Sequence, residues 1–83
     1  MPHFYFDIHD GKSNRDDQGT ECDDLEAARG KILASLPDLS SLITEDGGDD
    51  QAVTILVRNE DGSGVYKATL TFTGRRLNRA GSS

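Results

Sequence analysis

At 83 residues the chain has room for one domain. A chain of this size buries only roughly 60% of its unfolded surface, which leaves its core little to spare. A single cysteine and two histidines exclude an internal disulfide and any zinc-spaced Cys/His set, and a net charge of −6 disfavours a phosphate backbone as the main partner.

No apolar run approaches the roughly 20 residues a membrane helix needs. The first residues lack the basic region and cleavage site of a secretion signal, so a cytoplasmic domain is expected. The charge is unevenly spread. Residues 1–50 hold thirteen acids and four bases, whereas residues 51–83 hold two acids and five bases. There is no Trp, so Phe, Leu, Ile and Val must build the core.

Residues 3–9 alternate, with Phe4, Phe6 and Ile8 on one face and His3, Tyr5, Asp7 and His9 on the other. This period of two predicts a half-buried strand whose Phe4, Phe6 and Ile8 face the core. Residues 12–18 contain no apolar side chain and predict a hairpin loop. Residues 19–22 then form a short returning strand. Cys22 lies beside Glu21, Asp23 and Asp24, poor company for a thiolate, and reads as a small buried hydrophobe.

A helix is predicted from Asp23, which approximates a capping box with Glu26 three residues on. Leu25, Ala28, Ile32 and Leu36 recur at helical intervals and form its apolar stripe. Pro37 must stop or kink this helix, and Leu39, Leu42 and Ile43 predict a second short helical turn over residues 38–44. Residues 45–50, acidic and Gly-rich, predict a linker loop.

Two further strands follow. In residues 52–59 the apolar face is Val53, Ile55 and Val57, against Thr54, Leu56 and Arg58. The segment Glu60-Asp61-Gly62-Ser63-Gly64 predicts a tight hairpin, because Asp-Gly supplies positive φ. Residues 65–73 alternate again, with Tyr66, Ala68, Leu70 and Phe72 assigned to the core. The expected architecture is α+β: a two-layer sandwich of β-β-α-β-β order, a mostly antiparallel sheet with one main helix on one face. Residues 1–74 form the domain, and residues 75–83 a flexible basic tail.

The other sheet face is polar and offers few sites. Asp7 and His9 share a strand face, but two ligands do not make a metal site, and no metal or other cofactor is expected. No calcium loop or phosphate-cradling glycine motif occurs. Asp7, His9, Asp10 and Asp17 are the candidate binding residues of the first hairpin. Arg75 and Arg76, with Arg79, are candidates for contact with phosphate or an acidic protein. The leading expectation is a protein-interaction or regulatory module without catalytic activity, acting on a protein partner or on itself. The alternatives are a metal-binding protein or enzyme using Asp7, His9 and Asp10, or a weak nucleic-acid binder using Arg58 and the C-terminal arginines.

Three segments together resemble a known pattern: Phe4-Tyr5-Phe6-Asp7-Ile8-His9-Asp10-Gly11, Asp16-Asp17-Gln18-Gly19-Thr20-Glu21 and Asp24-Leu25-Glu26-Ala27-Ala28-Arg29. They are similar to the N-terminal half of a family of small bacterial proteins, domain of unknown function 6894, and Asn59-Glu60-Asp61-Gly62 fits its later turn. Cys22 and Pro37 depart from that pattern, where a larger aliphatic residue and an unbroken helix are usual. The resemblance implies the same element order and a single domain, but no activity. A looser, fold-level similarity to HicB-type antitoxins implies a protein rather than RNA as partner.

Overall fold

The computed structural model describes residues 2–77. Strand β1 runs His3–His9, followed by β2 Ser13–Asn14 and β3 Thr20–Glu21. Helices α1 Leu25–Ala34 and α2 Leu36–Ser40 and a 3-10 turn Glu45–Gly47 come next, and strands β4 Asp50–Arg58 and β5 Gly64–Thr73 close the fold. The sheet has five antiparallel strands in the order β2-β1-β4-β5, with β3 pairing the other end of β1 beside β2. The α+β class and the layering are as expected. The fifth strand, β2, arises within the segment read as loop, because Ser13 and Asn14 fold back onto His9 and Ile8.

β4 is the central strand, paired on both sides. Its Val53, Ile55 and Val57 are fully buried and meet Phe4, Cys22, Ala28, Ile32 and Leu39 in one cluster. Ala28 faces the sheet with no exposure, and so small a side chain lets the helix backbone approach the strands. Phe6 and Ile8 pack against this cluster half-buried. Cys22 is buried and unpaired, a hydrophobe in the core.

The helix cap is Asp24, not Asp23. Its Oδ1 accepts from the Ala27 N–H at 2.9 Å, so Glu26 sits in the first turn beside the positive end of the helix and no capping box forms. The helix ends at Ala34, and Pro37 starts α2 from its first turn, where a missing N–H costs nothing. The second helix is therefore residues 36–40, earlier than expected. Its end follows from Ser40 and Ser41, whose hydroxyls donate to the carbonyls of Pro37 and Asp38 at 2.7 and 2.6 Å.

The acidic segment before β4 is not a free linker. The Gln51 amide accepts from the Thr44 N–H and donates to the carbonyls of Thr44 and Gly48, clasping the 3-10 turn. At the next hairpin the Asn59 carbonyl side chain accepts from the Asp61 and Ser63 amides, and Gly62 takes φ +86°. Among the described residues no helix is long and apolar enough to cross a membrane.

Phe72 departs from the expected core, being 43% exposed. Helix α1 covers about 15 Å, whereas ten-residue β5 runs about 33 Å, so the end of this outer strand lies beyond the helix.

Ile55, 2% exposed, is the test of the core. Urea denaturation should show Ile55→Ala losing about 2–5 kcal/mol and Ile55→Val about 0.5–1.5 kcal/mol. Equal, negligible losses would mean that β4 is not central.

Candidate functional site

β1 faces β2 at one end and β3 at the other, but the two pairings do not share a register. Ile8 lies opposite Asn14 and Phe4 opposite Thr20. Five residues, 15–19, therefore stand across from three, 5–7, and the excess must bulge. Asp16 fills the resulting gap in the ladder, its Oδ2 accepting from the Phe6 N–H at 3.1 Å. The other oxygen of the same carboxylate accepts from the amides of Gln18 and Gly19, each at 3.0 Å. One side chain thus serves three backbone donors.

The bulge is tied across the sheet. Tyr5 lies opposite Arg58, and Asp7 opposite Leu56, in the β1–β4 pairing. Arg58 Nε donates to Asp7 Oδ2 at 2.6 Å, and its Nη2 donates to Asp7 Oδ1 at 3.0 Å and to the Asp16 carbonyl at 2.9 Å. Asp16 returns the contact, its N–H donating to Asp7 Oδ1 at 2.9 Å. The side chains of Arg58 and Asp7 are 11% and 21% exposed. The Arg58 guanidinium also lies over the Tyr5 ring, 5.1 Å from its centroid. The other side of the ring environment is Gly19, at φ +75°, where an added Cβ would stand 2.8 Å from Tyr5 Cε2.

The electrostatics follow from these contacts. The hydrogen bond from Arg58 holds the Asp7 carboxyl below its ordinary range, against burial that pushes it up, and the Asp16 amide adds to the lowering. Burial pushes the Asp16 carboxyl up, but the amides of Gly19, Phe6 and Gln18 together hold it below its ordinary value. Asp7 in turn raises the Arg58 pKa.

Of the candidate residues, Asp7 is consumed by this latch, its two oxygens taken by Arg58 and the Asp16 amide. His9 ends β1 and shares a 3.1 Å hydrogen bond between Nδ1 and the Ser13 hydroxyl. Asp10 accepts from the Lys12 N–H within its own turn. Asp17 is exposed at the mouth of a shallow polar cleft of about 310 Å³ that Tyr5, Arg58 and Glu60 also line. Arg75 and Arg76 are exposed beyond β5, far along the chain from these groups, and Arg79 lies outside the described residues. Among the described residues no three His, Cys, Asp or Glu side chains come together as a metal-binding group. Arg58, counted above with the free C-terminal cations, is instead committed to Asp7 and Asp16. Sequence reasoning passed over Asp16 and Gly19. The available signal was an Asp three residues before a Gly in a loop, the pattern of an Asp side chain bonding the amides that follow it.

Two measurements test the latch. Asp7 and Asp16 titrate lower in the fold than their unfolded value of about 3.9. Their contribution is therefore complete above about pH 4 and is lost as pH falls through the folded values. Asp7→Asn should lower the urea midpoint at pH 7, and the gap to wild type should narrow steadily below about pH 4; a constant gap would show that the charge of Asp7 stabilises nothing. Gly19→Ala should cost at least about 1–2 kcal/mol from left-handed backbone alone, so an unchanged midpoint would contradict the φ of +75° at this glycine.

The sequence model of a family described as Domain of unknown function (DUF6894) matches residues 3–71. No curated protein and no solved structure matches the chain. The matched span runs from the start of β1 almost to the end of β5 and includes every residue of the latch. The chain belongs to the DUF6894 family.

Proposed function

We propose that this domain is a protein-interaction module without catalytic activity, and that β5 is its binding element. One observation carries the reading: among the described residues no strand pairs with the outer edge of β5, which runs Gly64–Thr73. A ten-residue edge leaves a row of backbone donors and acceptors ready for another strand. It lacks the usual protections, having no proline and a single charge, Lys67. Phe72 and Val65 on it are 43% and 37% exposed, offering side-chain contacts beside the main-chain ladder.

The opposite edge supports the contrast. There β1 is covered by β2 and β3, and Asp16 fills the space between them. The catalytic and metal-binding alternative draws less support, because Asp7 is already satisfied by Arg58 and Asp16. The nucleic-acid alternative likewise loses Arg58. A cytoplasmic setting fits a lone, unpaired thiol.

Affinity capture by three forms tests this reading: wild type, a β5 variant carrying Phe72→Asp, and a control carrying Asp17→Asn on the far edge. The expected result is a set of retained proteins shared by wild type and the control and lost from the β5 variant. Identical sets from all three, with folding verified by circular dichroism, would overturn the assignment to β5.

A further inference from the structure

The inner-face pattern of β5 is symmetric about Thr69, with Ala68 and Leu70 and then Tyr66 and Phe72 on either side, and we infer that its occupant is a second copy of this chain, paired antiparallel across a two-fold axis at Thr69. This rests on β5 being the binding element.

Same-face alternation admits only registers that place inner side chains opposite inner ones. With Thr69 at the axis, Tyr66 faces the second copy's Phe72, Ala68 faces its Leu70 and Lys67 faces its Thr71. Each aromatic pair occurs twice, and no like charges oppose one another. The exposed Phe72 of each copy is thereby covered by the half-buried Tyr66 of the other.

Charge selects the same arrangement. The turn before β5 carries Glu60 and Asp61, and no acidic residue follows Asp61. Arg75 and Arg76 come just after β5, exposed, while the Gly74 N–H still donates to the Asp49 carbonyl at 2.7 Å and keeps the chain alongside the start of β4. Antiparallel pairing carries this basic end to the acidic turn of the second copy, at both ends of the interface. A partner of other sequence would need the reverse pattern of charge, whereas a copy of this chain has it already. Asp49 and Asp50 stand beside this basic end, next to Thr73 and Gly74, while the other acids of residues 1–50 would repel a copy approaching elsewhere.

The helices fit the same operator. An axis perpendicular to the sheet leaves both α1 helices on one face. The groove of about 240 Å³ between α1 and β5, lined by Leu33, Leu36, Tyr66 and Leu70, then faces its counterpart. Leu33, 49% exposed, lies at this seam.

Disulfide trapping reads the register directly. Opposed residues of paired strands have Cα atoms about 4.5–5.5 Å apart, within the span of a disulfide. Thr69→Cys should cross-link with itself under mild oxidation, whereas Thr71→Cys alone should not and should cross-link with Lys67→Cys when the two are mixed. Cys22, 2% exposed, contributes no background. In sedimentation, wild type should approach twice the 9.0 kDa chain mass as concentration rises. Thr69→Lys, which places like charges across the axis, should raise the dissociation constant roughly fivefold.

Arg75→Glu/Arg76→Glu and Glu60→Lys/Asp61→Lys should each be monomeric alone and should dimerise when mixed, since only the mixed pair has opposite charges at both ends. All four sites are exposed, and circular dichroism verifies that each variant folds. A chain mass at every concentration, with no Thr69→Cys cross-link, overturns the second copy while leaving the edge open to a different chain. Slow hydrogen exchange at the outward amides of β5 in that same monomer overturns both readings.

Discussion

The ion pair between Asp7 and Arg58 is the constraint on which the layout of the first third of the chain depends. Withdrawing two charges from water is costly, and an incompletely satisfied pair would destabilise the fold. Here the pair is satisfied throughout. Both oxygens of Asp7 receive Arg58, one also receives the Asp16 amide, and the Asp16 carbonyl accepts a second hydrogen bond from the same Nη2 of the guanidinium. The consequence is mechanical: a loop too long for its strand is folded into one shape, and the segment leading to Cys22 and α1 leaves it in a defined direction. Several residues that carry the family resemblance, Tyr5, Asp7, Asp16 and Gly19, are held in this latch, so that part of the pattern marks architecture.

The two edges of the sheet are consequently unequal. On the β1 side, two short strands and one carboxylate occupy the backbone groups that an incoming chain would use. On the β5 side nothing among the described residues does so. Charged side chains thus close one border of this small domain, while among the described residues the other border stays unpaired.

Much of this was legible from local pattern. Alternation located β1, β4 and β5, Asp-Gly located the hairpin at Gly62, and Pro37 marked the break between helices. The burial of Val53, Ile55 and Val57 followed from the same pattern, and that of Cys22 from the habit of a free thiol beside acidic neighbours. What escaped was decided by neighbours distant in sequence. Asp7 and Arg58 are 51 residues apart, and each alone reads as a wet residue on a polar strand face. Asp16 looked like one acid among many in a loop because its partners, the amide of Phe6 above all, become visible only once β1 is paired. Phe72 had the right alternation, but the reach of the helix, not the period of the strand, determines what is covered. The cap moved from Asp23 to Asp24 because two adjacent aspartates offer equal chemistry and only the backbone chooses between them.

The order of the strands also sets an order of events. β4 and β5 are joined by the five-residue turn that Asn59 organises, so their hairpin closes through local contacts. β1 must instead find β4 across some fifty intervening residues, a slow closure in entropic terms. Closing β1 onto β4 therefore limits assembly of the sheet more than the β4–β5 hairpin does, and the Asp7–Arg58 pair forms only with that closure.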